Sequence, residues 1–315
     1  MQNDSIAFSL FSRYNLETPE TFNGQEQIMN KKVKRTLNCF LTILLIICTV
    51  MIVRSINEDA ESQKDYDDAN IALGGLDTEH VSVLDELPGA TDGTPKEPAP
   101  IPDDPNIHQL LETDLQMLRQ ENEDVVGWIL IPDTKISYPL LQWTDNDFYL
   151  KHTWKQTPNA NGSIFIEHQN NPDFSDFNTI IYGHNMQSGA MFGGLRKYNS
   201  AKYWQDHPAF YIACDQGVLR YDIFAVHKAG VDTIIYGLEL ETEQKKNEFI
   251  RFATDYSMYD TGLQPTTDDR IVTLSTCTGQ GHTSRWVVQG VLNESGSYRT
   301  EECPPAADCR QKQSQ

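Results

Sequence analysis

Positive charge is what this chain has least of: 25 lysines and arginines face 45 aspartates and glutamates, a formal net charge of −20 over 315 residues. So acidic a chain repels a phosphate backbone, which excludes nucleic acid as a non-specific partner. Cysteine is scarce too, and its six copies do not form a disulfide framework. Cys39 and Cys48 lie inside an apolar run and Cys214 ends a strand-like segment, all positions suited to a small apolar side chain. Cys303 and Cys309 flank a Pro-Pro tail, where a loop-closing bridge stays open. Zinc-ligand spacing is also missing. CTGQGH pairs Cys277 with His282, but no second cysteine pair accompanies it, so neither a metal nor a cofactor is expected.

What is present begins with an uncharged apolar run from Thr36 to Val53, close to the ~20 residues that cross a ~30 Å hydrocarbon layer as a helix. Lys31, Lys32, Lys34 and Arg35 precede it, and Arg54 follows before an acidic segment. The positive-inside rule therefore places the N-terminus in the cytoplasm and the bulk of the chain outside. A buried core helix would carry a polar face or an amphipathic stripe, and this run has neither. No small-residue cleavage site closes it, so it reads as an uncleaved signal anchor. The implied organisation is a cytoplasmic tail over 1–35, a transmembrane anchor over 36–53, an acidic extracellular stalk over 54–105, a folded domain over 106–295 and a tail over 296–315. The stalk is rich in Asp, Glu, Gly and Pro with few aromatics. It is expected to be extended and self-repelling.

Within the folded part, Ile107, Leu110, Leu111, Leu115 and Leu118 recur at helical spacing and predict one amphipathic helix ending before Gly127. Eight strand-like runs follow: Trp128 to Ile131, Ile136 to Gln142, Ser163 to Glu167, Thr179 to Tyr182, Phe210 to Cys214, Leu219 to His227, Ile271 to Ser275 and Trp286 to Leu292. Short strands separated by turn residues predict a mainly β fold, a closed barrel rich in antiparallel pairs. The segment Glu239 to Tyr256 interrupts them, with Phe249, Phe252, Ala253 and Tyr256 on one face of a predicted helix.

Three runs end on residues that carry chemistry. TLSTC ends at Cys277, RWVVQGVL begins at Arg285 eight positions on, and the run ending at Tyr182 stops before Gly183-His184-Asn185-Met186. Cys277 and Arg285 can thus sit side by side on neighbouring strands. A thiol, with a pKa near ~8.5, attacks only as thiolate, so a nucleophilic Cys277 needs cationic neighbours, and His184 and Arg285 are the candidates. Singly, the cysteine could be a packing residue, the histidine a satisfied turn residue and the arginine a surface charge. Together on strand ends they make a nucleophile, a proton donor and an oxyanion partner.

IIYGHNM with MFGGLRKY after it, YDTG followed by RIVTLSTC, and RWVVQGVL together resemble the signatures of the sortases, and of class B among them. The agreement runs from about Leu110 to Leu292 and includes DVVGWILIPDTKISYPLLQ and GSIFIEH. The resemblance implies a closed eight-stranded sortase-type barrel with an N-terminal helix and a helical insertion before the catalytic strand. It also implies a membrane-anchored cysteine transpeptidase on the outer face of a Gram-positive cell. Such an enzyme cleaves a C-terminal sorting signal after threonine through a Cys277 thioester, which an amine of the peptidoglycan precursor lipid II resolves. His184 is then the general acid, and Arg285 positions substrate or stabilises the oxyanion, two roles that stay open.

Asn146 and Leu150 in DNDFYL, Ser275 and Thr276 in TLSTC, and Tyr236 fall at positions that touch the signal peptide in the family, with ordinary packing open for each. His282 would line the groove entrance. Two rivals remain. An L,D-transpeptidase carries its cysteine in a Ser-His-Gly-Cys context with arginine two positions later, whereas here it stands eight later. An inactive surface scaffold would not need Cys277, His184 and Arg285 intact.

Overall fold

All eight strand-like runs form strands in a computed structural model that describes residues 31–72, 101–277 and 283–299. They are β1 (Val125–Leu130), β2 (Ser137–Leu141), β3 (Ile164–Ile166), β4 (Asn178–Tyr182), β5 (Ala209–Cys214), β6 (Gly217–Gly230), β7 (Ile271–Cys277) and β8 (Ser284–Leu292). The neighbour order β5-β1-β2-β3-β4-β7-β8-β6 closes on itself because β5 also pairs with β6. The result is an eight-stranded barrel. Pairs β2–β3 and β4–β7 are parallel and the other six antiparallel, so the barrel is mixed. A two-residue strand β9, Tyr298–Arg299, adds to β6.

Five α-helices lie among the described residues, together with short 3-10 turns: α1 (Lys31–Ala72), α2 (Pro105–Leu111), α3 (Leu115–Glu121), α4 (Ala201–Asp206) and α5 (Glu243–Asp255). The single helix expected after Ile107 is two. Asp114 accepts a hydrogen bond from the Met117 amide and so caps α3, while Asp104 caps α2 through the Asn106 amide. A side chain that satisfies an orphan N–H starts a new helix at that point. Ile107, Leu110, Leu115 and Leu118 are nonetheless buried, as their spacing predicts.

Strand alternation sorts side chains between two cores. Val272, Leu274, Val226 and Val288 belong to the main core, whereas Ile271, Ala225 and Val287 join an outer cluster with Phe249, Ile250 and Ala253 of α5, and a register shift between Ile223 and Ala225 places Phe224 there as well. Thr242 caps α5 by accepting from the Lys245 amide. Its buried face differs from the expected one at the C-terminal end. Ile250 is buried while Tyr256 is 64% exposed, because the helix ends at Asp255 and the chain turns away.

The chain forms two compact units, Met1–Asn57 and Glu58–Gln315. In the first, the stretch Arg35–Arg54 has a mean hydropathy of 2.5 and exposed side chains, and it is long and apolar enough to cross a membrane. In the second, the stalk expectation needs correction over its first part, which is helical to Ala72 rather than extended. Tyr66 and Ala69 are 2% and 1% exposed. The Tyr66 hydroxyl bonds to the Gly162 carbonyl and the Ser163 hydroxyl, both at 3.0 Å, and the Trp154 indole N–H donates to the Asp65 carbonyl at 2.9 Å. Low aromatic content argues against a segment folding alone. It does not prevent one tyrosine from docking in a site that the barrel supplies. Residues 73–100, His282, Cys303 and Cys309 lie outside the described residues.

Candidate active site

The register of β7 with β8 sets Cys277, the last residue of β7, directly opposite Arg285. Opposed residues of an antiparallel pair project to the same face, so thiol and guanidinium share one surface. Both are half-buried. On the other side of β7, β4 runs parallel with Tyr182 level with Ser275. The pairing continues past the strand end: the Gly183 amide donates to the Ser275 carbonyl at 3.3 Å, and the Asn185 side-chain amide donates to the Cys277 carbonyl at 2.6 Å. His184, between them, is thereby carried alongside Cys277.

Gly183 makes this close approach possible. A Cβ there would fall 2.4 Å from the Ile164 Cδ1 and 2.9 Å from the Phe192 ring, so no other residue fits without displacing core side chains. The Phe192 amide donates to the His184 carbonyl at 3.0 Å, and a bridge between Asn185 and Met191 closes the loop. His184 Nε2 lies 2.8 Å from the Leu150 carbonyl oxygen. A carbonyl only accepts, so Nε2 carries the hydrogen.

The remaining expected residues divide by face. Ser275 shares the face of Cys277, two positions away, and its hydroxyl lies 2.8 Å from the Tyr236 hydroxyl. Burial pushes the Tyr236 hydroxyl up to about 12. The bond to Ser275 and the nearby Arg285 pull against that rise and the Cys277 charge adds to it, so Tyr236 lies within the field of both groups. Thr276, in contrast, alternates to the opposite face, is 2% exposed, and its hydroxyl has no partner among the described residues. Its side chain points away from the surface that Cys277 and Arg285 share.

Asn146 is held at both ends of its amide: Nδ2 donates to Glu167 Oε2 at 2.6 Å, and Oδ1 accepts from the His168 amide at 3.0 Å. Leu150, four residues on in the same loop, contributes its carbonyl to His184. Two residues here were not anticipated as site members, Asn185 and Glu167. Glu167 carried a legible signal, a carboxylate ending the apolar run IFI. Asn185 carried only its place after the histidine.

Strand pairing thus sets a thiol opposite a planar cation and brings the histidine-bearing loop beside the same strand end, residue types suited to acyl transfer. The family model of the sortase domain matches residues 129–293, and the chain belongs to the sortase family of cysteine transpeptidases. Class B sortases are among the proteins it is similar to. Sortase B of Listeria monocytogenes serovar 1/2a is 38% identical over 191 residues, 59% of this chain and 77% of that protein. The solved structure of sortase B from Listeria monocytogenes matches with a TM-score of 0.52 at 39% identity, covering 56% of this chain and 99% of that one. A Staphylococcus aureus sortase B–substrate complex matches with a TM-score of 0.60 at 25% identity, covering 75% and 98%.

Proposed function

We propose that the chain is a membrane-anchored transpeptidase that joins secreted proteins to the cell wall, with Cys277 as nucleophile, His184 as acid and base, and Arg285 as oxyanion partner. The observation that carries this is the double register on β7, antiparallel to Arg285 and parallel to the strand that ends before His184. In the first transfer the Cys277 thiolate adds to the carbonyl carbon of a threonine in the sorting signal. Arg285 donates hydrogen bonds from its fork to the oxygen as charge develops there. The carbon–nitrogen bond breaks and the departing amine takes a proton from His184. In the second transfer an amine of a peptidoglycan precursor, lipid II, attacks the thioester. A carbon–nitrogen bond forms, the carbon–sulfur bond breaks, and the proton goes to His184. Since Nε2 is bonded to the Leu150 carbonyl, Nδ1 is the nitrogen that exchanges this proton.

The peptide would lie along Asn146, Leu150, Tyr236 and Ser275, with the chain near Thr276 contributing backbone rather than side chain. The bound substrate of the Staphylococcus aureus complex supports a peptide partner of this kind. Basic residues before the apolar stretch support a cytoplasmic tail over 1–35, an anchor over 36–53 and an extracellular catalytic domain over 106–295, with 296–315 as a tail. The test is incubation with fluorogenic peptides bearing threonine at the scissile bond, followed by mass spectrometry. Cleavage after threonine with a thioester on Cys277, lost in Cys277→Ala, is expected. Cleavage by folded Cys277→Ala would overturn the assignment.

A further inference from the structure

Glu167 is 6% exposed at the end of an apolar strand run, where an ionised carboxylate persists only if its lone pairs are met by donors. Three converge on it. Asn146 Nδ2 lies 2.6 Å and the Tyr182 hydroxyl 2.9 Å from Oε2, while His168 Nδ1 lies 2.7 Å from Oε1. The backbone beneath is pinned as well: the Glu167 amide donates to the Ile180 carbonyl at 2.9 Å, and the Asn170 amide donates to the Glu167 carbonyl at 2.9 Å. Burial and then the Glu167 charge push the Tyr182 hydroxyl well above its ordinary range, so it remains a donor.

These contacts join two pieces of chain that meet again at His184. One is the loop carrying Asn146 and Leu150, whose carbonyl takes the imidazole; the other is the end of β4, where Tyr182 stands two residues before the histidine. We infer that Glu167 is a positioning residue for the transpeptidation described above: its carboxylate sets the Asn146 amide and the Tyr182 hydroxyl, and through them the loop on which the signal peptide lies. The inference rests on the proposed function. With one N–H of Asn146 on Glu167 and one lone pair taken by the His168 amide, the other N–H and lone pair keep a defined direction for the peptide. Without the carboxylate the amide can rotate and that direction is lost.

The test is steady-state kinetics of the full chain on the fluorogenic peptide that the wild-type enzyme turns over fastest, with the alkylation rate of Cys277 by iodoacetamide measured alongside. Glu167→Leu should raise KM about tenfold, with kcat changed less than about threefold and alkylation near wild type. Glu167→Gln should recover most of the loss, because its amide oxygen can still accept from Asn146 and Tyr182. In an Asn146→Ala background Glu167→Leu should add less than it does in the wild type, the remainder being the part that acts through Tyr182. Equal penalties in both backgrounds, or a fall in kcat and alkylation with KM unchanged, would overturn the positioning role. If Glu167→Leu does not fold, Glu167→Asp, which retracts the carboxylate by one methylene, is read by the same cycle. A wild-type enzyme that cleaves no such peptide would instead overturn the proposed function, so the two failures are distinguishable.

Discussion

Arg285 is opposed to Cys277 by strand register, so in the proposed mechanism its contribution depends on where the guanidinium plane lies rather than on a long-range field. A lysine at the same place keeps the charge and loses the two parallel donors. Arg285→Lys should therefore lower kcat/KM on a sorting peptide by about 10²-fold, within the range for loss of an oxyanion donor. Near-normal turnover in the lysine variant would mean that charge alone suffices. Gly183 shows how far a residue-level feature was legible. The sequence shows only that a glycine precedes a histidine at a strand end. Its true partners, Ile164 and Phe192, come from elsewhere in the chain and are visible only in the fold.

At the scale of elements, α5 and the docked end of α1 do different work. The buried face of α5, Phe249, Ile250 and Ala253, clusters with Ile235, the central residue of the turn that carries Tyr236. The helix thus supports one wall beside Ser275 and Cys277 without contributing a reacting group. Exchanging residues 239–256 for those of a class B sortase with another signal preference should change the ratio of kcat/KM between two peptides, while iodoacetamide still alkylates Cys277. An unchanged ratio in a folded, alkylatable chimera would place specificity in the loop of Asn146 and Leu150. For α1, truncating Tyr66 removes a fully buried ring and two hydrogen-bond contacts. Tyr66→Ala should cost about 3 kcal/mol in urea unfolding, comparable with other aromatic-to-alanine truncations in cores. A loss below about 0.5 kcal/mol, the size of an ordinary surface substitution, would show that this end of the helix does not dock in solution.

On the scale of the whole molecule, tyrosine burial gives the domain a stated response to alkali. Tyr211 and Tyr236 are both pushed up to about 12 from an ordinary 10.0, chiefly by burial, and Tyr66, Tyr138, Tyr149, Tyr182 and Tyr221 shift in the same direction. In the folded state these hydroxyls hold their protons where the unfolded chain has released them. Their contribution is complete below the unfolded value near 10 and is lost as pH rises from there toward 12 and beyond. The urea midpoint should be flat with respect to these groups between pH 8 and 9 and fall steeply above 10. A midpoint that held constant to pH 11.5 would contradict their burial.

The sequence by itself determined the eight strands, the helical insertion and the long apolar stretch, because each is encoded in local periodicity or length: alternation along Ile271 to Ser275, helical spacing at Phe249 and Ala253, and an uncharged run from Thr36 to Val53. It also put Cys277, His184 and Arg285 at strand ends. Tertiary structure decided what depends on partners distant in the chain. Only strand register aligned Cys277 with Arg285 on one side and with the approach to His184 on the other. Only the barrel surface turned an acidic segment around Tyr66 into a docked helix end, and only the meeting of three chain segments made Glu167 a hub rather than a stray charge. Periodicity records which way a side chain faces. It is silent about what will be waiting there.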